Sequence, residues 1–249
     1  MKITITRRIG FFEVNENFAL RLRVLLNCLQ DAATVHSQHA GYETSRLMEK
    51  QKAWVLHRIA IQVHSPPVCG DEIEVVTWHK GSRGFRSYRD FEIYRNGQKL
   101  VSAASLWLFI DLARKKILRP PQDAGACYGE EKQEALGMDI DKWKSPQGFD
   151  PDAVVAIATR PSDYDPLGHV NNAMYFDYLE TLVERVFEKP RQMRTVIVQF
   201  NKEISADVLE VSAGLKKQDA GFMFNITSAV GEHAAGEFSA DRGQLTVDG

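Results

Sequence analysis

One order of elements, a strand, a long helix and then four strands, occurs twice along this chain. A sequence built that way has few means of hiding its apolar residues. In the first copy Leu22, Leu25, Leu29, Ala32, Ala33, His36 and Ala40 recur at helical spacing, and Gly41 is a natural stop. The spacing predicts one long helix, preceded by an alternating, strand-like start at 1–8. Strand-like runs follow at 54–63, 72–78, 85–94 and 100–110. Turn signals stand at Pro66-Pro67, Gly70-Asp71, Gly81 to Gly84 and Asn96-Gly97, the last the strongest hairpin signal. In the second copy a strand at 154–160 leads to a helix with Tyr175, Phe176, Leu179, Leu182, Val183 and Val186 on one face. Runs at 195–200, 208–216, 221–230 and 235–240 come after it. An amphipathic helix set among antiparallel strands buries its stripe only if the sheet wraps it. The expected class is therefore α+β, with two antiparallel sheets each wrapped around a long central helix.

Residues 122–151 separate the copies. They are rich in Gly, Pro, Lys and Glu and lack apolar periodicity, so they read as a linker between units at 1–121 and 152–249. A chain of 249 residues that is 44% hydrophobic can fill one large core or two smaller ones. No run of about 18 apolar residues and no hydrophobic leader is present, so the expectation is a cytoplasmic protein without membrane segments. Cys28, Cys69 and Cys127 are odd in number and lack C-x-x-C spacing, which argues against a disulfide framework or a zinc site. No P-loop or G-x-G-x-x-G occurs. We expect no cofactor, no metal and no nucleic-acid partner. Charge is uneven: residues 1–121 carry 19 Lys and Arg against 11 Asp and Glu, and the remainder 12 against 22. A basic first half either steers an acidic partner or is a solvated face.

The densest chemistry lies at 163–172, DYDPLGHVNN, directly before the second helix. Asp165 and His169 flank a Pro166/Gly168 turn, and Asn171 or Asn172 can cap the helix. Unpaired N–H groups near 170–172 would favour developing negative charge. The plainer reading has Asp163 or Asn171 capping a helix and His169 satisfying a local hydrogen bond. Elsewhere, His36 and His39 lack the carboxylates of a metal set. Trp54, Trp78 and Trp107 are expected in the core. Arg83, Arg86 and Arg89 are either phosphate contacts or a solvated hairpin.

Six stretches together resemble the acyl-acyl carrier protein thioesterase family, tandem hot-dog proteins whose bacterial members are related to the plant fatty-acyl thioesterases. They are LLNCLQDAATVHSQHAG, WVLHRIAIQVHSPPVCGDEIEVVTW, GFRSYRDFEIY, SLWLFIDLARKKILRPP, DYDPLGHVNNAMYFDYLET and VQFNKEISADV. The resemblance implies a hydrolase that frees fatty acid from acyl carrier protein (ACP) without a cofactor. It places the family's aspartate at Asp165, its histidine at His169 and its glutamate at Glu203. It also implies an acyl tunnel in the first domain, which Trp54 would help to line. Two positions depart from the pattern. Leu167 stands where the family commonly has Asn, with Asn171 as the substitute amide, and Ile204 stands where plant members have Cys. The motif thereby approaches the form of 4-hydroxybenzoyl-CoA-type thioesterases. An acyl-CoA thioesterase, a hot-dog dehydratase and a non-catalytic acyl-binding protein remain alternatives, and a homodimer remains open.

Overall fold

The structure is a computed structural model that describes residues 1–187 and 192–241. The chain divides into two compact units, Met1–Lys142 and the residues from Trp143 on. In the first unit the elements are β1 (Lys2–Arg8), α1 (Leu22–His39), α2 (Thr44–Glu49), β2 (Lys52–Val63), β3 (Glu72–Arg83), β4 (Arg86–Arg95), β5 (Gln98–Asp111), β6 (Lys116–Leu118) and α3 (Ala124–Tyr128). The second holds β7 (Ala153–Ala158), α4 (Asn172–Val186), β8 (Met193–Phe200), β9 (Glu210–Gln218), β10 (Gly221–Ser228) and β11 (Gly231–Ala240). Strand order in the first unit is β1-β3-β4-β5-β2, with β6 added to β5. In the second it is β7-β9-β10-β11-β8. All these pairs are antiparallel, and the two orders are the same permutation.

Helix α1 packs against β1 and β3 and buries Leu25, Leu26 and Leu29 almost completely. Each such side chain contributes roughly 1.5–3 kcal/mol of apolar burial. Helix α4 packs on β7 and β9 through Tyr175, Phe176, Leu179, Leu182 and Val183, the face that its spacing predicts. The Asn96-Gly97 signal is a tight hairpin in which both residues take positive φ, +51° and +77°, so that Arg95 pairs with Gln98. Trp78 is fully buried, whereas Trp54 and Trp107 are half-buried.

Part of the stretch expected as a linker is packed onto the first unit. Gln133 O accepts from Trp78 Nε1 (2.9 Å), Asp90 Oδ2 accepts from Ala135 N (2.8 Å), and Asp141 holds Arg83 and Arg86. Arg89 is no surface phosphate contact: it is buried on β4. Its Nη1 donates to His36 Nδ1 (2.8 Å) and Thr77 Oγ1 (3.1 Å), and its guanidinium lies over the Tyr128 ring. His36 Nε2 donates to Tyr128 O (3.1 Å), which fixes the tautomer that can accept from Arg89. Burial, then Arg89, pulls His36 down to about 3 and His79 down to about 4, while burial lifts Asp90 to about 6.

These three groups set a pH response for the first unit. Between about pH 4 and 6 the unfolded chain protonates both histidines and the folded unit neither. The folded unit meanwhile holds one proton on Asp90 that the unfolded chain lacks. The net is about one more proton on the unfolded chain, so stability should fall by about 1.4 kcal/mol per pH unit on acidification. Urea midpoints across that window, followed at the tryptophans, check the sign. Flat or rising midpoints would refute the buried-neutral assignment.

Among the described residues no helix is long and apolar enough to cross a membrane, and no His, Cys, Asp and Glu cluster is arranged to hold a metal ion.

Candidate active site

The loop 161–172 joins β7 to α4 and is built on backbone hydrogen bonds. Asp165 N donates to His169 O (2.9 Å) and Gly168 N to Asp165 O (3.0 Å), with Gly168 at φ +78° closing the turn. Val170 N then donates to Ile204 O (2.9 Å), and His169 bridges Ser205. This ties the loop to the segment after β8 and sets His169 beside Glu203, His169 Nε2 lying 3.3 Å from Glu203 Oε2. Asp165 Oδ1 accepts from Leu167 N (2.8 Å) and, more loosely, from His169 N (3.5 Å). Among the described residues Asp165 Oδ2 makes no hydrogen bond. One oxygen of this carboxylate therefore shapes the turn while the other is available for chemistry.

Asn171 is the N-cap of α4, and its Oδ1 accepts from Ala173 N (2.9 Å). The capping reading of Asn171 thus holds, and only its NH2 group remains for another role. The backbone N–H groups expected to receive an oxyanion are largely committed. Val170 N goes to Ile204 O and Asn171 N to Asp163 O (2.9 Å), while Ala173 and Met174 both donate to Asn171. The same pairing that places Glu203 engages Val170 N.

Support comes from residues that sequence reasoning left in the background. Asp163 is 1% exposed and accepts from Tyr178 Oη (2.8 Å), Arg160 N (3.0 Å) and Arg160 Nε (3.1 Å), and Arg160 also pairs with Asp177. Behind Glu203, buried His233 donates from Nδ1 to Lys202 O (3.3 Å) and accepts at Nε2 from Ser228 Oγ (2.7 Å). Burial lowers the His233 pKa.

The first unit contains the same loop without the same chemistry. Asn15 N donates to Ala19 O (2.8 Å), Phe18 N to Asn15 O (2.9 Å), Leu20 N to Pro67 O (2.8 Å) and Arg21 N to Glu13 O (3.1 Å). Asn15 Oδ1 accepts from Asn17 N and Ala19 N, and Ala19 bridges Val68. Asn15, Phe18, Ala19 and Pro66 thus take the places of Asp165, Gly168, His169 and Glu203. Neither carboxylate nor imidazole is needed to make this turn.

Antiparallel strands packed on one long helix, in the same order in each unit, give the chain the α+β hot-dog class of fold. A sequence model of the acyl-ACP thioesterase N-terminal domain matches residues 4–128, and one of the C-terminal domain matches residues 150–239. The chain belongs to the acyl-ACP thioesterase family.

It is 25% identical over 211 residues to the chloroplastic palmitoyl-acyl carrier protein thioesterase of Arabidopsis thaliana, covering 79% of this chain and 50% of that protein. It is 24% identical to the dodecanoyl-[acyl-carrier-protein] hydrolase of Cinnamomum camphora, covering 81% and 56%. The chain spans about half the length of such relatives. Two solved structures share the fold. The 12:0-ACP thioesterase from Umbellularia californica has a TM-score of 0.82 at 19% identity, covering 98% of both chains. An acyl-ACP thioesterase from Bacteroides thetaiotaomicron has 0.84 at 21% identity, covering 96% of this chain and 98% of that one.

Proposed function

We propose that the chain hydrolyses the thioester of acyl-ACP in the cytoplasm, releasing free fatty acid, with its chemistry at Asp165, His169, Glu203 and Asn171. The observation that carries this reading is the contrast between the two loops. Asn15 and Ala19 make the turn equally well, so Asp165 and His169 answer to a demand other than folding.

Oδ2 of Asp165 either takes a proton from water or attacks the thioester carbonyl. His169, held by Glu203, orients or shares that proton. The tetrahedral oxyanion meets side-chain donors, the Asn171 NH2 and the His169 imidazole, since nearby backbone donors are engaged. The leaving thiolate, with a pKa of roughly 8.5 on the cysteine scale, departs without an acid in contact. Water supplies the hydroxyl of the acid and the thiol proton.

Trp54 on β2 packs its ring against Phe109 in a tilted pair, centroids 4.8 Å apart. We assign it to the wall that meets the acyl chain.

Matched panels of acyl-ACP and acyl-CoA test the reading. Free fatty acid from the carrier substrates supports it, and turnover of CoA thioesters alone favours the alternative thioesterase. Loss of water across a double bond with the thioester intact would mean a dehydratase. In a single turnover in 18O water, label in the Asp165 carboxylate would identify it as the nucleophile, and rapid-quench trapping of an acylated Asp165 would do the same where water attacks the acyl carbon.

Cysteine has no part in this scheme. Burial pushes the Cys28 thiol up to about 11, and Ile204, at the position of the plant cysteine, is fully buried. Ser at Cys28, Cys69 or Cys127 should leave hydrolysis largely intact. Inactivation by a thiol reagent that one of these variants abolishes would contradict that.

A further inference from the structure

The turn between β3 and β4 and the short β6 strand form a surface that the hydrolytic loop does not use. Phe85 is 47% and Ile117 51% exposed, and with Leu108 they line a groove of about 570 Å³. Cations ring it: Arg83 and Arg86 border the groove, and the guanidinium of Arg119 lies over the Phe85 ring at 5.6 Å. Residues 112–119 carry four cations and no carboxylate, with Arg114 paired to the neighbouring Asp111, and Arg83 and Arg86 add two exposed cations at the β3–β4 turn. Arg83 and Arg86 both donate to one carboxylate of the chain itself, Asp141, with Arg86 Nη1 at 2.8 Å from Oδ1. Two exposed guanidiniums are thus already arranged to grip a carboxylate, with positive charge in surplus around apolar rings.

We infer that this surface is the docking site for the carrier protein, specifically for an acidic helical face that presents an apolar side chain between carboxylates. The inference rests on the proposed acyl-ACP hydrolysis and names where its protein half is held. Charge complementarity selects the occupant. The surplus cations demand acidic groups and the rings demand an apolar anchor, a combination that a protein surface supplies. Steering by such a rim is screened beyond about 10 Å at 0.1 M salt.

The test uses the full chain with two substrates bearing the same acyl group, acyl-ACP and acyl-pantetheine, which lacks the protein. Replacing Phe85 and Ile117 together by Ala removes the anchors without touching the core, and Arg119→Glu reverses the rim. Each should raise KM for acyl-ACP about tenfold, the scale of a docking hot spot, with kcat and acyl-pantetheine hydrolysis unchanged. The salt dependence of kcat/KM for acyl-ACP should flatten in Arg119→Glu. Unchanged KM in both variants, or equal losses on both substrates, would overturn the docking site and leave the hydrolysis standing. Should the wild type hydrolyse neither substrate, the functional reading fails by itself. Calorimetric titration with unacylated holo-ACP then decides the surface: weaker binding to the variants sustains it, and equal or no binding sinks it. Loss of a dimer in sedimentation, or of binding to anionic phospholipid vesicles, with acyl-ACP kinetics intact would assign the groove to another occupant.

Discussion

Asp165→Asn should lower kcat for thioester hydrolysis by roughly 10²-fold or more while the fold survives. The expectation has an internal precedent. Asn15 occupies the equivalent position in the first unit and accepts from Asn17 N (3.0 Å) and Ala19 N (3.1 Å), just as Asp165 Oδ1 accepts from Leu167 N and His169 N. An amide oxygen therefore serves the turn as well as a carboxylate oxygen does. What the substitution removes is the charge and basicity of Oδ2. Circular dichroism and melting temperature should match the wild type, and the defect should lie in kcat more than in KM. Near-normal turnover in a folded variant would remove Asp165 from the chemistry.

The opposite pattern should follow at Asp163, two residues earlier in the same motif. Asp163→Ala should cost about 1–3 kcal/mol of stability, because it leaves the buried Tyr178 hydroxyl and Arg160 N without their acceptor, while the half-exposed Arg160 guanidinium keeps Asp177 and water. Activity measured well below the melting point should fall less than in Asp165→Asn. Thermal melting followed at Tyr and Trp fluorescence reads the effect, and each kcal/mol is about 2–4 °C for a chain of this size. A variant that melts like the wild type would show that the network is dispensable. The two substitutions thus separate the carboxylate that shapes the loop from the one proposed to react.

Much of this architecture can be read from letters alone. Apolar spacing in 22–40 and 175–186 marks both long helices, and the β-rich runs mark the strands, because the helix and sheet periods are local properties. Asp165 and His169 stand out by the chemistry packed into 163–172, Glu203 only through the family resemblance, and the structure brings His169 and Glu203 together at 3.3 Å. What escaped depends on tertiary pairing. The order β1-β3-β4-β5-β2 and the packing of 133–141 on β3 and β4 are set by contacts between distant residues, to which 122–151 gives no periodic clue. Arg89 sits in a run with Arg83 and Arg86, and nothing local distinguishes the buried one from the exposed two. The first-unit loop was invisible because Phe18 takes positive φ, +60°, where a reader looks for glycine, and Ala19 replaces the histidine. The commitment of the Val170 and Asn171 N–H groups follows from partners at Ile204 and Asp163, one of them in another element.

The paired loops also fix a stoichiometry. A chain that holds the turn twice but the reactive groups once should possess one equivalent of active centre per 249 residues. If Asp165 is acylated, a rapid-quench burst should therefore saturate at one acyl group per chain. Mixtures of wild-type and Asp165→Asn chains should then lose activity in simple proportion to the fraction of variant, the outcome expected if each chain carries its own reactive groups.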